Sequence, residues 1–269
     1  MESEFALFLR RDLAASRLPR RNLLTDVGSV MAEQVPAPEQ LLLALGHSES
    51  RAREDFVVGP ANAEALAMIE RWPDSWPART LALVGPAGSG KSHLAAIWAA
   101  RSGARTVAAA RLDEATVPAA LTNGAVVVDD LIEHAVDERA LFHLLNFAKE
   151  QGAYVLLTAE RGPGSFALCL ADLASRLRAV PVVALNPPDD ALLRAVLVKL
   201  FADRQLGVDE ALLVYLERRI ERSIAAARLV VDRLDRESLK RRRPLTRALA
   251  VEVLGAGERP SGERVTPTS

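Results

Sequence analysis

The octapeptide Gly85-Pro86-Ala87-Gly88-Ser89-Gly90-Lys91-Ser92 constrains this chain more than any other stretch. It satisfies G-x-x-x-x-G-K-[ST]. It also lies between an apolar run at 80–84 and an amphipathic segment at 92–101, the strand and helix that such a loop requires. Gly85, Ala87, Gly88, Ser89 and Gly90 can turn backbone N–H groups inward around phosphate oxygens, and the end of the following helix adds positive potential. Lys91 is placed to reach the β- and γ-phosphates of a nucleotide, and the Ser92 hydroxyl to ligate Mg²⁺. Four lysines stand among 34 basic residues and one falls at the required position, so a chance match is on the order of 10⁻³ per chain. A glycine-rich turn without a ligand is the alternative.

The rest of the pattern fits an α/β fold around that loop. Apolar runs at 80–84, 106–110, 125–129, 154–158 and 180–185 read as strands, separated by stretches long enough for crossover helices. In 137–151, Ala140, Leu141, Leu144, Leu145 and Ala148 recur at helical spacing and Gly152 supplies a stop. After Asn186-Pro187-Pro188 the pattern is helical throughout, over 189–205, 209–219, 223–240 and 246–254. The expected architecture is a P-loop module with a parallel five-stranded sheet flanked by helices, followed by a small all-α lid. Its expected parts are a flexible arm at 1–53, the nucleotide-binding domain at 54–187, the lid at 188–254 and a disordered tail at 255–269. A length of 269 residues suits one α/β domain of ~150 to 180 residues with a smaller partner module.

A phosphate loop needs a metal-holding acid on a neighbouring strand, and Ala125-Val126-Val127-Val128-Asp129-Asp130 supplies an apolar strand ending in two carboxylates. Asp129 would hold Mg²⁺, directly or through water, and Asp130 would stand where a water-polarising acid is needed. Two acids capping the next helix are the alternative. Thr158, at the end of another strand, would place a hydroxyl near the γ-phosphate or the attacking water. A net charge of −1 argues against a general polyanion binder. The single cysteine, Cys169, excludes a disulfide framework or a cysteine-based zinc site and fits a reducing cytoplasm. No apolar run approaches the ~20 residues of a membrane span.

Several further motifs, taken in order, resemble one family. Phe56-Val57-Val58-Gly59-Pro60-Ala61-Asn62 resembles the F-V-V-G-x-x-N segment of the bacterial replication initiator DnaA, an AAA+ protein, and Gly90-Lys91-Ser92-His93-Leu94 resembles its G-K-[ST]-H-L loop. Val128-Asp129-Asp130 and Leu156-Leu157-Thr158 are similar to its Walker B and sensor 1 segments. Asp172-Leu173-Ala174-Ser175-Arg176-Leu177 is similar to its box VII, and Arg222-Ser223-Ile224 to its sensor 2. The resemblance covers residues 54–254. It includes neither the DnaA N-terminal domain nor its helix-turn-helix DNA-binding domain, and so points to the short DnaA-related regulators of the Hda type. It implies ADP or ATP with Mg²⁺ as ligands, with Val57, Val58 and Asn62 beside the adenine and His93 within the loop motif. Arg222 would reach over the phosphates from the lid, or stand as a solvated arginine. Arg176 would be an arginine finger acting on ATP bound to DnaA, or would form an ion pair with an acid such as Asp172. Intact Lys91, Asp129 and Asp130 leave a weak ATPase of the protein's own open, although Asp130 is one methylene shorter than the glutamate common in AAA+ enzymes.

Gln40, Leu41, Leu43 and Leu45 resemble the Q-L-x-L-x-L peptide that binds the DNA polymerase sliding clamp, with Pro36 and Pro38 discouraging helix upstream. A first helix docked on the core is the alternative. Residues 1–30 read as a disordered arm or an upstream start artefact, with Met31 as the candidate start. The expected partners are therefore DnaA and the clamp. A homodimer is left open, and neither sequence-specific DNA binding nor a membrane is expected. Two competing readings remain. A DNA-acting helicase loader or initiator paralogue is kept alive by Lys240-Arg241-Arg242-Arg243, and a P-loop small-molecule kinase would explain the phosphate loop alone.

Overall fold

Among the described residues five strands build one parallel sheet: β1 (Thr80–Val84), β2 (Arg105–Ala108), β3 (Ala125–Leu131), β4 (Tyr154–Ala159) and β5 (Val182–Ala184), in the order β2-β3-β4-β1-β5. The computed structural model describes residues 51–255 apart from 75 and 77. β3 and β4 are continuous apolar runs because helices cover both their faces. Val126, Val128, Val155 and Leu157 face one layer, packing with Leu141 and Leu144 of α4 (Glu138–Gln151) and Leu173 of α5 (Ala171–Arg178). Val127 and Leu156 face the other, packing with Ile69 of α1 (Ala63–Glu70) and with Leu94 and Trp98 of α2 (Lys91–Ser102). This alternation is the period-2 consequence of strand geometry. One short helix, α3 (Val117–Ala120), lies between β2 and β3.

Both outer strands are shorter than their apolar runs. β2 stops at Ala108, where the chain enters a 3-10 turn, and β5 comprises Val182–Ala184 alone. Among the described residues each pairs on one side only, so fewer ladder bonds hold its ends.

The helical part comprises α6 (Asp190–Asp203), α7 (Glu210–Arg219), α8 (Ile224–Arg241) and α9 (Arg247–Gly255). Asp189, Asp209 and Ser223 cap the first three, each accepting a backbone N–H three residues on. Leu193, Phe201, Leu212, Leu216, Val231 and Leu249 form its own core. Val57 and Ala61 of the segment preceding α1 pack against that core, which joins the lid to the nucleotide side of the sheet.

Candidate nucleotide site

In a parallel sheet all carboxyl ends lie along one edge, and this edge collects the loops after β1, β3 and β4. The octapeptide leaves β1 there and turns into α2. Its turns occur at Gly88 (φ 71°) and Gly90 (φ 103°), both left-handed and therefore costly for residues with a Cβ. At Gly85 a Cβ would collide with the Leu185 carbonyl and lie 2.9 Å from Ser89 Oγ.

Lys91 is almost wholly buried, and its Nζ donates to the carbonyls of Gly85 (2.7 Å) and Pro86 (2.8 Å). Burial pushes its ammonium below the usual lysine range, opposed by the charges of Glu160, Asp130 and Asp129. Ser89 Oγ is buried without a hydrogen-bond partner. A folded loop carrying an orphaned hydroxyl and an ammonium held by its own carbonyls fits a phosphate, which would satisfy both.

Ser92 Oγ donates to Asp129 Oδ1 at 3.2 Å, so a hydroxyl and a carboxylate stand together as hard oxygen donors. Among the described residues no cluster of three or more His, Cys, Asp or Glu forms a metal cage. Two protein oxygens, completed by water and phosphate, suit Mg²⁺.

Thr158 stands on the same edge, near the carboxyl end of β4 and beside the two acids that follow the apolar part of β3. Its Oγ1 donates to Asp129 Oδ1 at 2.5 Å and accepts from the Asp130 N–H at 2.8 Å, tying the two acids together. That bond holds an irregular backbone, since the β3–β4 register shifts between Val128 and Leu131 and Asp130 is left-handed (φ 59°). Asp130 is exposed at the edge.

Two residues assigned to the nucleotide, Asn62 and His93, hold the site's walls. Asn62 is buried; its Oδ1 accepts from the Gly59 N–H (2.9 Å) and its Nδ2 donates to the Val57 carbonyl (3.0 Å). Its amide therefore shapes the Val57-Val58-Gly59 turn, on which Val58 is 47% exposed. The His93 ring turns to the segment before the turn, with Nε2 2.9 Å from the Ala52 carbonyl and an edge-to-face contact with Phe56. Burial holds its pKa below the usual value. Arg222 pairs with Asp190 at 2.8 Å, with both side chains well exposed.

The lid reaches the loop through backbone instead. The Ile224 N–H donates to the Gly88 carbonyl at 3.0 Å, and Ser223 and Ala225 stand where a Gly88 side chain would be. Glu160, two residues after Thr158, is a residue that sequence reasoning missed. It is the foremost charge acting on Lys91, and its only sequence signal was an acid just past a strand end.

Arg176 lies at the other edge. It lines a groove of about 750 Å³ with Thr80, Ala153 and Val180, residues at or just before the amino ends of β1, β4 and β5. At about 3.3 Å per residue, β1 separates this groove from the phosphate loop by roughly 15 Å. The ion pair with Asp172 is not formed; the guanidinium lies over the Phe142 ring, 5.4 Å from its centroid. Gln40, Leu41, Leu43 and Leu45 lie outside the described residues.

No protein-family model matches the chain. It is 27% identical to the chromosomal replication initiator protein DnaA of Thermomicrobium roseum, in an alignment covering 93% of this chain and 59% of the relative. The chain thus spans about three fifths of that relative's length. Domain III of the Thermotoga maritima replication initiation protein DnaA superposes with a TM-score of 0.65 at 19% identity, covering 78% of this chain and 98% of that domain. The fold is the one that DnaA domain III has. A DnaA structure bound to AMPPCP and single-stranded DNA gives 0.58 at 17% identity, covering 70% of this chain and 66% of that one. The Thermotoga maritima RuvB branch-migration motor gives 0.61 at 16%, covering 77% and 72%, so the AAA+ fold alone does not select a task. No helix among the described residues is long and apolar enough to cross a membrane.

Proposed function

We propose that this protein is a nucleotide-dependent regulator of chromosome replication initiation. It binds ADP or ATP with Mg²⁺ at its own phosphate loop and supplies Arg176 to ATP held by DnaA. The observation that carries this reading is the position of Arg176. It stands at the sheet edge opposite its own Lys91, Ser92 and Asp129, so it has no access to a nucleotide in its own site, and no carboxylate among the described residues neutralises it. A permanently charged, planar guanidinium placed there is suited to stabilise phosphoryl charge in a second molecule.

Within its own site, Lys91 and the amides of residues 85–90 would hold the phosphates, while Ser92 and Asp129 would hold Mg²⁺, which supplies charge neutralisation when bound. Thr158 keeps Asp129 aimed. Asp130 is the available acid for a weak ATPase of the protein's own. The DnaA structure bound to AMPPCP supports an adenine nucleotide. On this reading Gln40, Leu41, Leu43 and Leu45 tether the protein to the DNA-loaded sliding clamp in the cytoplasm.

The DNA-acting alternative gains little from the basic cluster, because Arg241 pairs with Glu237 and Glu252, and Arg243 with Glu252. A small-molecule kinase would explain the phosphate loop but not the place of Arg176 at the opposite edge.

The test is single-turnover hydrolysis of DnaA-bound ATP with clamp loaded on DNA. Arg176→Ala should retain nucleotide affinity and thermal stability while losing stimulation by roughly 10³-fold or more, and Arg176→Lys should recover little. Parent-like stimulation by Arg176→Ala would remove the trans-acting role.

A further inference from the structure

An arginine that works in another molecule's site faces two conflicting demands. Left unpaired on a surface it samples many rotamers, and the loss of that freedom on docking raises the barrier. Paired with a carboxylate it is oriented, but its charge is already neutralised and the partner's phosphate must displace the acid. A flat aromatic face answers both demands, because the ring quadrupole holds a cation in place without cancelling its charge.

The groove around Arg176 has this construction. Phe142 projects from α4 and is half-buried, its ring packed against the core beneath the sheet. The Arg176 guanidinium lies over that ring at 5.4 Å. Asp172, one turn earlier on α5, lines the same groove without pairing with it. The neighbouring cation Arg79 is committed elsewhere, donating to the Gly152 carbonyl at 2.5 Å and stacking over Tyr154 at 5.0 Å.

We infer that Phe142 is a positioning residue for the trans-acting arginine, seating the Arg176 guanidinium at full charge where the phosphoryl group of ATP in a second AAA+ module docks. The inference rests on the trans-acting reading above and deepens it.

The experiment compares three replacements at position 142 in the single-turnover assay with ATP-loaded DnaA and DNA-loaded clamp. Phe142→Leu keeps an apolar contact with the core but removes the ring face. Pentafluorophenylalanine keeps the shape and reverses the quadrupole, so it separates the cation–π contact from packing. Phe142→Tyr keeps the face. The first two should lower the saturating stimulated rate by about two- to thirtyfold, the range a cation–π contact spans between exposed and desolvated settings. Phe142→Tyr should stay within about twofold of the parent. The concentration giving half-maximal stimulation and ADP affinity should not move, and the fluorinated ring and Phe142→Tyr should keep the parent melting temperature.

If Phe142→Leu and the fluorinated ring both stimulate like the parent while Arg176→Ala is inactive, the seat is refuted and the finger stands. If only Phe142→Leu is impaired and its melting temperature falls in parallel, Phe142 is a packing residue and the inference fails. If Arg176→Ala stimulates like the parent, the underlying reading fails and the seat with it.

Discussion

Gly88 is where the lid comes closest to the phosphate loop, and replacing it by alanine tests whether that contact governs nucleotide retention. A Cβ there would collide with Ser223 Oγ and come within 2.8 Å of Ala225 Cβ, both at the start of α8. The residue is also left-handed (φ 71°), a conformation that costs a non-glycine residue roughly 1–2 kcal/mol. If α8 moves away, the Ile224 N–H to Gly88 carbonyl bond at 3.0 Å is lost, at about 0.5–1.5 kcal/mol. The lost contact predicts that Gly88→Ala weakens ADP binding by about 0.5–1.5 kcal/mol, or roughly two- to tenfold, where the bound state needs the lid closed, while the left-handed strain, present with or without ADP, lowers stability. Calorimetric titration with ADP and Mg²⁺ reads this directly. Gly103→Ala is the strain control: φ is 70° but nothing lies within 4 Å, so stability should fall while ADP affinity holds. Ser223→Gly in the Gly88→Ala background should recover part of the affinity, since it removes the colliding hydroxyl and glycine is tolerated as a helix cap at a few tenths of a kcal/mol. Parent-like ADP affinity in folded Gly88→Ala, or no recovery in the double variant, would refute the reasoning.

Lys91→Ala should leave a folded protein whose ADP affinity is reduced about a hundredfold or more, because two or more charge-assisted bonds of ~1.5–3 kcal/mol are lost; unchanged affinity by calorimetry would count against the phosphate site. The buried His93 has a pKa below its ordinary 6.5, so above that pH the ring is neutral in both states and its contribution is complete. As pH falls below 6.5 the unfolded chain takes up the proton first and stability declines; His93→Gln should flatten that decline in urea unfolding from about pH 7.5 to about pH 5.5, and equal slopes would clear His93 of it. Replacing Leu43 and Leu45 together by alanine should weaken clamp binding by two to three decades on a rough basis of ~1.5 to 3 kcal/mol per buried leucine, leaving ADP affinity intact. Co-elution with the clamp equal to the parent would place the tether elsewhere.

Local chemistry by itself determined the skeleton. The glycines at 85, 88 and 90 with Lys91 and Ser92 specify a strand-loop-helix whatever surrounds them. The caps Asp137, Asp189, Asp209 and Ser223 start helices within three residues of themselves, and Gly152 ends one. Apolar runs such as 125–128 and 154–157 declare central strands because both faces are buried. All of these signals act over a few residues, so the linear pattern contains them. The contacts that define the site do not. Thr158 meets Asp129 across 29 residues and His93 meets Ala52 across 41. Ile224 meets Gly88, Glu160 acts on Lys91, and Arg176 lies on Phe142 only after the sheet has brought their elements together. Hydrogen bonds, charges and ring faces act through space at a few ångströms. Which polar groups become neighbours was therefore decided by strand order and helix packing, and only the tertiary structure could assign Thr158 to the Walker B acids, Asn62 to its own turn and Arg176 to the edge facing away from its own nucleotide site.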